Sequence, residues 1–273
     1  MTTRTQQSMA QAMPDVQASH DTRNVAIDKV GVKNITYPIT LHCPTTGGKQ
    51  HTVARVNMYV GLPHYQKGTH MSRFLEVLNE HHLDLRSDQI MEVCHHIKDR
   101  LEAKEAHLEL RFTYFIPKLA PVTAAPGLLD IEVTFEATSN QTDDFVMGIK
   151  VPATSLCPCS KEISEYGAHN QRCEMEVRVR FARGKMMWIE DLFKIVEHCA
   201  STQVFAVLKR PDEKWVTERA FENPKFVEDI VRDLAIALNR EDRIAWYHIT
   251  SENFESIHNH NAYAQIERTK QPR

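Results

Sequence analysis

Apolar residues run through the same succession of periods twice along this chain, and that repetition limits the folds open to it. Alternation at period two marks strands over about 35–42 and 51–60, the second clean only through Val56, Met58 and Val60. Helical spacing then marks 70–80, with Phe74, Leu75 and Leu78 on one face and Thr69 placed as N-cap. A second helix over 88–103 follows Ser87 and aligns Ile90, Val93, Cys94, Ile97 and Leu101. Strands over 108–116 and 128–137 complete the first succession. In the latter, Ile131, Val133 and Phe135 oppose Glu132, Thr134 and Glu136. The order then recurs, with strands over 145–151 and 174–181 and helices over 188–200 and 226–238. Asn223 is placed as the N-cap of the last helix and Pro224 as its first residue. Strands over 244–250 and 262–267 close the chain.

Two ββααββ units in tandem predict an α+β protein, with antiparallel sheets and the helices of each unit on one face. The units span 25–140 and 141–273. Before them, the Thr-, Gln-, Ser- and Ala-rich residues 1–24 predict a disordered tail. Open sheet edges predict pairing with further copies of the chain.

Composition removes several function classes. The 273 residues carry 33 Lys and Arg against 36 Asp and Glu, with no basic block, so sequence-independent nucleic-acid binding is not expected. No apolar run reaches the roughly 18 residues that span a bilayer, so no membrane role is expected. The N-terminal residues lack the apolar core of a secretory signal. Six cysteines are too dilute for a disulfide scaffold and predict a reducing, cytoplasmic setting. Nine glycines include no GxGxxG and no GxxxxGK[ST] spacing. Any phosphate must therefore be held by side chains and helix N-termini.

Reactive residue types gather in two places. Residues 154–172 carry Cys157, Cys159 and His169 between two expected strands, a combination that suits either a metal site or an activated thiolate. Cys-x-Cys departs from the usual C-x2-C knuckle, and Pro158 stiffens the turn so that one sulfur is aimed at a site. Residues 251–260 add His258 and His260 in the same unit. If the two segments converge, one sulfur, one or two imidazoles and a carboxylate make an open coordination shell of the catalytic kind. Taken singly, each of these residues fits an ordinary loop or core role equally well. Lys67, His70 and Arg73 cluster at a helix N-terminus, where they either face an anion or form a solvated helix start. Residues 209–214 read as an exposed turn. His81, His82, His95, His96 and His198 fit helix surfaces, and Cys94 and Cys199 fit helix faces as small hydrophobes.

Four segments carry a family resemblance: LPHYQKGTHMSRF (62–74), SLCPCSKEISEYGAHNQR (155–172), ENPKFVEDIVRD (222–233) and SENFESIHNH (251–260). Together they resemble the prokaryotic GTP cyclohydrolases of the IB type, over about residues 25–270. The resemblance implies a tunnelling fold, two ββααββ units per subunit, and a homotetramer with active sites at subunit interfaces. It implies conversion of GTP and water to 7,8-dihydroneopterin triphosphate and formate, the entry to folate and to queuosine-type deazaguanines. By the same resemblance Cys157, His169 and His258 match metal ligands. Glu213 matches the carboxylate ligand, with Glu218 and Glu222 left open. Glu228 matches the residue that anchors the guanine edge. Zn2+, Mn2+ and Fe2+ all suit such a mixed shell. His260 is a candidate proton shuttle, and Lys67, His70 and Arg73 are candidate triphosphate contacts. Two other functions stay in view: a nucleophilic-cysteine enzyme of the same fold acting on a pterin or deazaguanine, and a non-catalytic metal-binding assembly module.

Overall fold

The computed structural model describes residues 15–44, 47–81, 84–85 and 89–270. The first succession comprises β1 (Ile27–Cys43), β2 (Gly48–Leu62), α1 (Met71–His81), β3 (Asp84–Leu85), α2 (Ile90–Arg100), β4 (Ala106–Leu119) and β5 (Pro126–Ser139). The second comprises β6 (Asp144–Leu156), α3 (Pro158–Ile163), β7 (Asn170–Phe181), α4 (Ile189–Val196), β8 (Thr202–Gln203), α5 (Arg210–Glu222), α6 (Val227–Arg240), β9 (Ile244–Asn253) and β10 (Ala262–Thr269).

The strands of the described residues belong to one ten-stranded sheet, ordered β10-β9-β7-β6-β5-β4-β2-β1-β3, with β8 pairing on β6. Pairing is antiparallel except between β1 and β3. Its register explains the core. Val56, Leu110, Phe135, Met147, Val179 and Tyr247 are successive cross-strand partners, so they form one row on one face. All six are buried, and they join Phe74, Ile97, Leu192 and Ile230 from the helices in a single apolar cluster. One residue along, the row Arg55, Arg111, Thr134, Gly148 and Arg178 faces the other way. Alternation thus put helices on one face and polar side chains on the other. The β5–β6 pairing fuses the two successions into one sheet across residues 140–143.

Several local expectations are corrected. Thr69 lies two residues ahead of α1 and is not its cap. The helix expected over 188–200 ends at Val196, which leaves Cys199 and Ala200 beyond it. Residues 209–214 are not an exposed turn but the start of α5, a helix without an apolar stripe because only Asp212 and Ala220 are buried. Asn223 follows α5 instead of capping α6, and its amide donates to the carbonyls of Ala200 and Ser201. Phe226 is the residue at the start of α6. Residues 15–24, expected in the N-terminal tail, dock on the turn after β2, where Lys67 N–H donates to Ser19 O and Gly68 N–H to Gln17 O. Residues 1–14, Ser87 and His82 lie outside the described residues.

Pro152 would be costly in a fully paired central strand, since it has no N–H to give. Pairing of β6 with β5 stops at Lys150, and β8 joins only at Ala153 and Thr154. Pro152 falls in that gap. It marks where the end of β6 leaves one neighbour and takes up others.

Candidate active site

Cys157 stands where β6 passes into α3, in extended conformation (φ −70°, ψ 118°), with Pro158 opening the helix. The expected loop is therefore partly a short helix. Pro158 suits that first turn because its missing N–H has no intrahelical partner to lose. The turn separates the two sulfurs: Cys157 is half-buried and Cys159 exposed. The remaining thiols sort by environment. Burial pushes Cys94 and Cys199 up to about 11 and Cys173 up to about 12, so they stay protonated at neutral pH. Cys43, also buried, donates to Glu190.

His169 is tied to Cys157 twice. Cys157 N–H donates to His169 O (3.1 Å), and Ser160 Oγ donates to Cys157 O (3.1 Å) while accepting from His169 N–H (3.2 Å). The imidazole is oriented by Gln171, whose Oε1 lies 3.0 Å from Nδ1. Gln171 Nε2 donates to Glu255 (3.5 Å), which fixes the amide with its oxygen toward the ring. When Nδ1–H donates to this oxygen, Nε2 keeps its lone pair. That tautomer is the one that metal binding through Nε2 needs. Ser256 Oγ also lies 3.3 Å from Nδ1, and Phe254 N–H donates to Arg172 O, so the segment after β9 is laid against this cluster.

Other candidates are placed less closely. His258 and His260 follow Ser256 on that segment, exposed and stacked with centroids 5.1 Å apart. Glu213 is exposed in the first turn of α5, and its carboxylate makes no hydrogen bond or ion pair among the described residues. Glu218 is paired with Lys214 at 3.3 Å. Glu222 lines a concavity of about 420 Å3 with Trp215 and Arg219. Glu228 is exposed in the first turn of α6, close to the Cys157 strand because Lys225 N–H donates to Leu156 O. Among the described residues no three His, Cys, Asp or Glu side chains of one chain converge to hold an ion. His70 pairs with Asp15 (3.0 Å) and Arg73 reaches Arg100 O, so their bonds lead to the N-terminal segment and α2, not to Cys157.

Beside Glu213, Asp212 is buried and accepts from Val122 N, Thr123 N, Thr123 Oγ1 and Lys209 N. Burial alone would raise its carboxyl, but these donors hold it well below the usual carboxylate range. The side chain thereby pins the start of α5 to the β4–β5 turn. With a folded value below 3.8, its contribution to stability is complete above that pH and is lost as pH falls through the folded value. Asp212→Asn should lower the thermal midpoint at neutral pH by several degrees and flatten its decline below about pH 4, as thermal melts across pH will show.

Sequence reasoning missed Gln171, Ser155, Asn253 and Ser160. Three of these carried a signal: polar residues at inward positions of strands whose inward residues nearer the middle of the sheet are apolar, all at one end of the sheet.

A family model described as type I GTP cyclohydrolase folE2 matches residues 13–264. The GTP cyclohydrolase FolE2 of Geobacter sulfurreducens is 55% identical over 258 residues, covering 94% of this chain and 99% of the relative. That of Syntrophobacter fumaroxidans is 55% identical, covering 94% of this chain and 100% of the relative. Urate oxidase from Bacillus subtilis 168 superposes with a TM-score of 0.51 at 10% identity, covering 89% of this chain and 98% of its own. That likeness identifies the α+β tunnelling fold. With the family model spanning all four segments, from the turn before α1 to the histidines after β9, the chain belongs to the type I GTP cyclohydrolase FolE2 family.

Proposed function

We propose that this chain is a GTP cyclohydrolase, converting GTP and water to 7,8-dihydroneopterin triphosphate and formate at the Cys157 segment. The observation that carries the reading is the family match over residues 13–264, which includes every candidate site residue. Local geometry supports it, because Cys157 and His169 are bonded together through their backbones and the His169 ring is held at Nδ1 by Gln171.

Cys157, His169, Glu213 and His258 would hold a divalent cation, as a thiolate, imidazoles and an unpaired carboxylate suit Zn2+, Mn2+ or Fe2+. When bound, such an ion lowers the pKa of a water toward about 7 and so supplies the nucleophile for C8 of guanine. The protein's own groups do the rest. Glu228 accepts from the guanine N1–H and exocyclic amine, a donor pair that adenine lacks. His260, beside His258, moves protons between the reacting purine and solvent. Lys67, His70 and Arg73 contact the triphosphate from a neighbouring subunit.

A second copy is also what the surface around the site calls for. Ile163 is 84%, Tyr166 97% and Ile257 63% exposed in one protomer, a concentration of apolar area beside the site segments. We infer a homotetramer in which this surface is covered and the site completed. All six cysteines are free thiols, which suits a reducing cytoplasm, and no helix among the described residues is long and apolar enough to cross a membrane.

Purified protein incubated with GTP and Mn2+, then oxidised, should yield neopterin fluorescence and one formate per GTP consumed. A chelator should abolish the signal, and Mn2+ or Zn2+ should restore it. Turnover surviving complete chelation contradicts the metal-dependent reading and favours a cysteine nucleophile.

A further inference from the structure

Three of the chain segments that carry proposed site groups are the end of β6 before Cys157, the start of α6 before Glu228, and the end of β9 before His258. One buried hydroxyl joins all three. Ser155 Oγ donates to Lys225 O (3.0 Å) and accepts from Asn253 Nδ2 (3.1 Å). Ser155 is two residues ahead of Cys157, Lys225 three ahead of Glu228, and Asn253 five ahead of His258. Ser155 also sits opposite Gln171, the residue that orients His169.

Neither Ser155 nor Asn253 is explained by packing. Both point to the helix-covered face: Ser155 continues Val151 and Ala153 on β6, and Asn253 follows Tyr247, Ile249 and the buried Ser251 on β9. Ser155 is fully buried and Asn253 only 2% exposed. Burying such groups is costly unless they are bonded, and Asn253 Oδ1 remains without a partner. Their neighbours extend the connection. Leu156 N–H donates to Ser201 Oγ, and Lys225 Nζ donates to Cys199 O and Asp233. The β6 end, no longer paired to β5 after Lys150, keeps β7 on one side, and on the other side β8 and then side chains from the other site segments replace β5.

We propose that Ser155 is a positioning residue for the cyclohydrolase reaction, its hydroxyl setting the spacing among Cys157, Glu228 and His258 through simultaneous bonds to Lys225 and Asn253. This rests on the site assignment above. Ser139 provides an internal comparison: it is equally buried on β5, but its hydroxyl has no partner.

The test measures kcat and KM for GTP, Mn2+ affinity and thermal midpoint, each per folded protein. Ser155→Ala is expected to lower kcat/KM and weaken Mn2+ binding by about tenfold or more, the range typical of residues that orient metal ligands. Ser155→Thr, which keeps the hydroxyl, should recover most of both, and Ser139→Ala should change neither. Should Ser155→Ala not fold, Asn253→Ala removes the other half of the contact and is expected to show the same two losses. Wild-type kcat/KM and Mn2+ affinity in Ser155→Ala, or in Asn253→Ala where the first does not fold, overturns the proposal even if the midpoint drops. Cys157→Ala, assayed alongside, separates the two levels. If it is inactive while Ser155→Ala is fully active, only the positioning role fails; if it is itself active, the site assignment fails.

Discussion

Replacing Cys157 with alanine should reduce formate release by three orders of magnitude or more and strip the protein of bound Mn2+ or Zn2+. The size follows from what is lost. Without the cation, the attacking water keeps a pKa near its bulk value of about 15.7 in place of about 7, and hydroxide is scarce at neutral pH. No other sulfur can take over. Cys94, Cys173 and Cys199 are held protonated by burial, Cys43 is buried against Glu190, and Cys159 is on the exposed side of the turn that Pro158 creates. Formate release and elemental analysis of the same sample check both halves. A variant with normal metal content and normal turnover removes Cys157 from the site.

Glu228→Gln should raise KM for GTP by about 10- to 100-fold and leave metal content unchanged. A carboxylate offers acceptors only, matching two guanine donors, whereas glutamine turns one acceptor into a donor and sets two N–H groups against each other. Hydrogen bonds to a charged group contribute about 1.5–3 kcal/mol, which gives that range. Position supports the assignment: Glu228 is exposed in the first turn of α6, three residues past the Lys225–Leu156 backbone bond that sets α6 against the Cys157 strand. Titration with GTP in the presence of Mn2+ measures the change. Unaltered GTP affinity reassigns the guanine contact to another residue.

The elements most legible in the sequence are those with one clean period. Residues 174–181 alternate without a break, and β7 contains them all. The stripe Ile90, Val93, Cys94 and Ile97 became the buried face of α2. By contrast α5 left no trace, because its inward face is an aspartate and an alanine and its stability comes from bonds made by Asp212 to a turn some ninety residues earlier in the chain. The misplaced start of α6 has the same origin. Asn223 and Pro224 look like a cap and first turn, but the preceding helix had already claimed Asn223. The family resemblance singled out Cys157 and His169 where spacing alone left them open, whereas the residues that orient them, Gln171, Ser160 and Ser155, act through contacts that no spacing encodes.

By itself, then, the sequence determined the layer architecture, since a period of two or 3.6 decides which face each segment buries without reference to any partner. It also determined the chemical types available to the site, because thiol, imidazole and carboxylate are properties of single residues. The tertiary structure decided which groups face the His169 ring, which cysteines are inert, and where β6 changes neighbours. Those outcomes depend on hydrogen bonds and burial between segments far apart in the chain, and they exist only once the sheet has brought Leu156, Gln171, Lys225 and Asn253 to the same end.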